Sequence, residues 1–222
     1  MLLDLPEVNL LLNELKQEFD TTDLSTLYPA YMDRFNSVTD WKFSSGDYFA
    51  PIPYESERMG FSPDVLIKKK YKSVDEARWS GKYCAGFVEG RHVITVLPSQ
   101  RTVEALQASL YDEAGSVLAV RTISFKWIGK PEKMHSQMRG IRRVISRPDN
   151  TKLDVGVGIG GAFSVNLYQY SNDGRPLTVR AFSKGWSSED QLQYRYTSDG
   201  QLDEITAGGP LPLWKRKIAE GR

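Results

Sequence analysis

The feature that most constrains this chain is a hairpin signal repeated in its last third. Leu167-Tyr-Gln-Tyr-Ser-Asn-Asp-Gly-Arg-Pro-Leu177 is echoed by Leu192-Gln-Tyr-Arg-Tyr-Thr-Ser-Asp-Gly-Gln-Leu202, aligning Tyr170 with Tyr196 and Gly174 with Gly200. A fainter copy is Tyr111-Asp-Glu-Ala-Gly-Ser-Val117. The two clear copies have one mechanical reading: a β-run ends in Tyr, the chain turns through Asn-Asp-Gly or Ser-Asp-Gly, and an apolar residue opens the return strand. Gly supplies the positive φ that such a turn demands. A chain that repeats this unit folds as antiparallel hairpins.

The same logic extends upstream. His92 to Leu97 reads as a strand, Thr102 to Tyr111 and Ser116 to Trp127 as a hairpin, and Ile141 to Arg147 with Lys152 to Phe163 as another. Residues 1–40 differ. Val8, Leu11, Leu12, Leu15 and Phe19 recur at helical spacing behind Pro6, and Leu27, Tyr31 and Phe35 do so behind the capping candidates Asp23 and Ser25. Between the two patterns, Asp47 to Pro63 holds Pro51, Pro53 and Pro63 among aromatics and predicts an ordered, irregular loop packed on the body. The expectation is α+β, a single domain over 1–222: a twisted antiparallel meander of eight to eleven strands over 41–222, with a helical pair from 1–40 packed on one face.

The hairpin segments at 111–117, 167–177 and 192–202 resemble YD repeats, the tyrosine-Asp-x-x-Gly-x-Leu units of RHS-type proteins. Tyr111, Asp112, Gly115 and Val117 fit that pattern best, whereas Ser171 and Thr197 replace the Asp that follows Tyr in the later copies. In RHS proteins dozens of units spiral into a large shell, which two or three cannot build. The resemblance implies an antiparallel meander and an association with polymorphic toxin systems.

Composition narrows the function classes. With 40% hydrophobic and 26% charged residues, the chain is neither collagen-like, coiled-coil nor largely disordered. One Cys and two His exclude a disulfide framework and a His- or thiolate-rich metal cluster. Acidic residues at the start, where a signal peptide is basic, and the lack of a long apolar run predict a cytoplasmic protein without a membrane span.

No motif names a reaction. Gly156-Val-Gly-Ile-Gly-Gly161 satisfies G-x-G-x-x-G, but β-like residues follow it where a dinucleotide site needs a helix. Its glycines instead leave one strand face bare, so that another backbone or a ligand can approach. Cys84 has no nucleophile signature and reads as a buried hydrophobe, and His135 lies among basic residues. No catalytic, cofactor or metal residues are therefore assigned.

Charge placement carries more than the net charge of +1. Residues 1–40 hold eight acids against two bases, whereas 126–147 hold seven bases against one acid, which predicts a dipolar molecule. The leading expectation is a non-enzymatic protein-binding module, in concrete form a bacterial immunity protein whose acidic helical segment occludes a basic secreted toxin. Glu14, Glu18, Asp20 and Asp23 are its candidate contacts, with Arg180 and Arg195 on the face opposite the repeat tyrosines and Trp186 in the loop between the units. The alternative is an enzyme or small-ligand-binding protein with a pocket between the sheet and the 47–63 loop, lined by Tyr48, Tyr54 and Phe61. A third is nucleic-acid binding through basic segments 68–72 and 139–147.

Overall fold

Where a short turn joins successive β-runs, each strand pairs with its sequence neighbour, and a meander results. The computed structural model describes residues 1–99, 105–127, 134–209 and 211–217. Its thirteen strands are β1 (Asp40–Ser44), β2 (Leu66–Ile67), β3 (Tyr83–Val88), β4 (Arg91–Val96), β5 (Ala105–Ala114), β6 (Val117–Trp127), β7 (Met134–Ser146), β8 (Thr151–Gly158), β9 (Ala162–Tyr170), β10 (Pro176–Ser183), β11 (Asp190–Tyr196), β12 (Leu202–Thr206) and β13 (Trp214–Lys215). From β3 to β13 every strand lies beside its sequence neighbour. At the other edge the order is β3, β1, β2. Every pairing in the sheet is antiparallel. The architecture is α+β, as expected, with more strands than the eight to eleven anticipated. The surplus lies in the two-residue edge strands and in β1 and β3, whose short runs border irregular sequence.

The helices form where apolar spacing required them. Helix α1 spans Pro6–Thr21 with Pro in its first turn, and buries Val8, Leu11, Leu12 and Leu15 against β7 and β8. Each of these side chains contributes about 1.5–3 kcal/mol by leaving water. The Asp23 side chain accepts from the Ser25 amide at 2.9 Å and caps a 3-10 turn, Leu24–Thr26, that leads into α2, Leu27–Ser37. Tyr31 and Tyr28 of α2 pack on Phe125 of β6 at centroid distances of 5.5 and 5.2 Å. Two shorter helices, α3 (Glu55–Arg58) and α4 (Val74–Trp79), lie in the connections that flank β2.

The sheet thus has a helix face and a loop face. In β8, Leu153, Val155 and Val157 join the core beneath the helices, while Asp154, Gly156 and Gly158 face the 45–65 loop by strand alternation. A second core on the loop face gathers Ile52 of the loop with Tyr168, Tyr170, Val179, Leu192, Tyr194 and Ile205. The repeat tyrosines are therefore mainly core, on the same side as Leu192.

Two readings need correction or delimiting. The run Lys152 to Phe163 is not one strand: Gly160 and Gly161, with φ of 69° and 68°, reverse the chain between β8 and β9 and leave Ile159 exposed. The start of the expected strand at Thr102, and Lys130, Glu132 and Lys133 of the basic stretch, lie outside the described residues.

Candidate ligand-binding site

Strand pairing aligns a row of side chains across the loop face. Tyr111 of β5 pairs with Val120, Val120 with Arg142, Arg142 with Gly156 and Gly156 with Ser164. The neighbouring row runs from Ser109 through Thr122 and Gly140 to Gly158. Where the glycines fall there is no side chain to fill the space, and a groove of about 380 Å³ opens over these rows, roofed by Asp47 and Pro51 of the loop. A β-carbon at Gly156 would meet only ordinary contacts, the nearest at 3.6 Å. At Gly140 and Gly158, by contrast, a β-carbon would come within 3.2 and 3.3 Å of the Val157 and Arg139 carbonyl oxygens, so close backbone approach accounts for those two glycines.

One wall of the groove is an ionic clamp. Arg142 donates through Nε and Nη2 to the buried Asp154 carboxylate, the latter at 2.8 Å, and through Nη1 and Nη2 to Glu55 of α3. Asn166 donates to Asp154 at 3.0 Å and accepts from Arg58 at 3.1 Å. Bidentate pairing of this kind fixes the guanidinium plane and ties the loop to the sheet. Asp47 stands apart from that network: burial, reinforced by Glu55 and Asp64, pushes its carboxyl up to about 7 against the pull of Arg142. It is an acid poised to gain or lose a proton near neutrality, facing the groove.

Asp47 also borders a second cavity of about 310 Å³ on the loop's other flank, lined by Tyr48, Tyr54, Glu55, Glu57 and Asp64. Tyr54 holds a left-handed conformation, φ 64°, that turns the chain into α3 and thereby places Glu55 and Glu57. Among the described residues, no group of three or more His, Cys, Asp or Glu side chains is arranged to hold a metal ion.

The histidine and cysteine do not meet. Cys84 is fully buried in the core under the helices, and burial pushes its thiol up to about 12. His92 lies across the sheet, stacked on Phe87 at 5.2 Å and close to Phe49 of the loop, and burial pushes it down to about 4.

The acidic candidates are largely engaged within the chain. Glu14 accepts from Arg143 at 2.8 Å, and Glu18 accepts from Arg121 at 2.6 Å and Arg143 at 2.9 Å. Glu7 accepts from Arg147 at 2.9 Å. The acidic helix and the basic strand expected to form opposite poles thus lie against each other and neutralise. Arg143 and Arg147 are thereby taken up by the helix, and Arg142 by Asp154 and Glu55 on the other face, so the three are not a free basic surface. Asp23 serves its own cap, Arg180 pairs with Glu189 and Arg195 with Glu204, whereas Asp20 is exposed and Trp186 is 43% exposed. Lys68, Lys69, Lys70 and Lys72 are exposed around a cleft beside β2. Of the expected pocket residues, Tyr48 and Tyr54 line the acidic cavity, while Phe61 is 64% exposed and borders a cleft with residues 213–217.

Sequence reading missed Asp47, Tyr111, Arg142 and Ser164 as one constellation. The alternate glycines at 156 and 158 were the available signal, since they mark the bare face. The strand pairing that brings 47, 111 and 142 to it has no local signature. The chain matches no known protein-family model, no curated protein and no solved structure.

Proposed function

We propose that this chain is a non-enzymatic binding protein that takes a small polar ligand into the groove beneath the 45–65 loop. The observation that carries this reading is the groove itself, a glycine-floored space of about 380 Å³. That volume sits in the range of small-ligand sites. Hydroxyls of Ser109, Thr122 and Ser164 and the Asp47 carboxyl offer directional contacts, and Tyr111 and Val120 offer apolar ones. The clamped Arg142 is held by two carboxylates and supplies rigidity more than reactivity. Cys84 and His92, on opposite faces, do not form a nucleophile and base pair.

The test is to fill the groove. In Gly156→Leu the β-carbon meets only ordinary contacts, the nearest at 3.6 Å, and the rest of the side chain occupies the groove, so the variant is expected to fold with a melting temperature close to the native one. Ligand-observed NMR of a fragment library is expected to give hits on the native chain that vanish on Gly156→Leu. An identical hit list from both proteins refutes the reading.

A second reading, binding of a protein partner, is favoured by one observation: Met59, Phe61, Leu211 and Leu213 are exposed by 66%, 64%, 80% and 48%. Apolar exposure of this kind marks interaction surfaces. An immunity protein occluding a secreted toxin in a bacterial cytoplasm is the concrete form of that reading, and the YD-like hairpins are its remaining support. Loss of binding to a co-expressed partner in Phe61→Asp, with Gly156→Leu unaffected, would select it.

A further inference from the structure

The second cavity under the loop has an unbalanced charge. Four carboxyl groups, Asp47, Glu55, Glu57 and Asp64, line its roughly 310 Å³, and no Lys or Arg does. Glu55 is answered by Arg142 from the groove side, and among the described residues Asp64 accepts from the Ser56 hydroxyl at 2.9 Å and pairs with no Lys or Arg. Glu57 is the telling residue. It is 7% exposed, so more than nine-tenths of it is buried, and among the described residues no Lys, Arg or His pairs with it. Burial, reinforced by Asp64, raises the Glu57 carboxyl above its usual 4.5, and its place on the cavity wall leaves it open to a cation whose charge would favour its ionised form.

The carboxylates do not converge as metal ligands among the described residues, so a compact cation is not what the space fits. Their spread around a chamber walled by the rings of Tyr48 and Tyr54 suits a larger, flatter or longer cation, whose charge the acids balance and whose apolar body the rings cover. Tyr54 is itself fixed against Tyr194 and Tyr196 at 6.4 and 6.2 Å. We infer that the cavity formed by Glu57, Asp64, Asp47, Tyr48 and Tyr54 is a binding site for an organic cation, an alkylammonium or alkylguanidinium group. It is a site separate from the groove, sharing Asp47 with it.

The test is calorimetric titration of the full chain with butylguanidinium and butylammonium, using butylurea as the uncharged counterpart. Saturable binding of the cations, at least about tenfold tighter than butylurea, is expected. Glu57→Gln and Asp64→Asn should each weaken the cations by about tenfold while leaving butylurea unchanged. Glu57→Gln keeps the side-chain shape and removes a buried charge, so its melting temperature should be no lower than native. If Asp64→Asn misfolds, Tyr48→Ala at the half-exposed mouth takes its place, with the same direction of effect. The inference is overturned if the cations do not saturate at millimolar concentration, if butylurea binds equally, or if Glu57→Gln binds as the native chain does. Gly156→Leu should bind the cations normally, so failure of the groove reading and failure of this one are separable. A blocked arginine peptide binding more tightly than butylguanidinium would assign the cation to a partner's side chain, and weaker binding to a free small molecule.

Discussion

Asp47 on the loop and His92 on the sheet beside Phe49 are both largely shielded from water, which disfavours the charged form of each, but they act on stability with opposite sign. Asp47 rises from an ordinary 3.8 to about 7, so the folded chain holds a proton there that the unfolded chain has released; this stabilises at low pH and is lost as pH climbs through about 7. His92 falls from 6.5 to about 4, so the unfolded chain takes up the proton first; its contribution is complete above 6.5 and is lost as pH drops toward 4. The shifts correspond to about 4 kcal/mol for Asp47 and about 3 kcal/mol for His92 as orders of magnitude, so the two largely offset each other between pH 4 and 7. Native stability is expected to be almost level across that window in denaturant titrations. Asp47→Asn should unmask a rise in stability with pH from 4 to 6.5, and His92→Gln a decline from 4 to 7. Level curves from both variants would contradict the assignment.

At the scale of elements, the two later hairpin units share one turn chemistry. The Ser171 hydroxyl accepts from the Arg175 amide at 3.1 Å, and the Thr197 hydroxyl accepts from the Gln201 amide at 3.1 Å. Gly174 and Gly200 hold φ of 81° and 80°. Both hydroxyls also donate to the Asp two residues on, Asp173 and Asp199. Ser and Thr thus hold the turn at the position that follows the Tyr of each unit.

Helix α1 is held by charge as well as by its apolar stripe. Burial raises the Glu18 carboxyl, but hydrogen bonds and charge from Arg121 and Arg143 outweigh it and hold Glu18 below its usual 4.5. That contribution is present above 4.5 and lost as pH falls through the lowered value. Because these partners are only partly buried, Glu18→Gln should cost about 1 kcal/mol, read as a shift in denaturant midpoint, with faster amide exchange in α1. An unchanged midpoint and unchanged α1 protection would show that the apolar stripe alone docks the helix.

Across the whole molecule, the sheet is covered unevenly. Strands β7 and β8 are sandwiched between α1 and the clamped loop, whereas β12 and β13 stand at an edge, and β13 has two residues. Amide exchange is expected to be slowest in β6 to β9 and fastest in β12 and β13, because local opening follows thin cover and few neighbours. Uniform protection along the sheet would count against this picture. Among the described residues, no helix is long and apolar enough to cross a membrane.

What could be read from the amino-acid order was whatever depends on near neighbours. The Asp-Gly turns, the Leu and Val spacing of α1, the capping role of Asp23 and the alternation that buries Tyr168, Tyr170 and Tyr194 are all settled within a few residues by backbone sterics and periodicity. Even the bare face at Gly156 was legible, because missing side chains are visible in sequence. What only the tertiary structure decided was which distant groups meet. Arg142 finds Glu55 across 87 residues, Arg143 finds Glu14 across 129, and Asp47 comes to lie over a row running from Tyr111 to Ser164. Those meetings turned an expected charge dipole into internal ion pairs and an irregular loop into the roof of a cavity. The physical reason is that charge pairing and burial act through space, and a one-dimensional pattern carries no distances between residues a hundred positions apart.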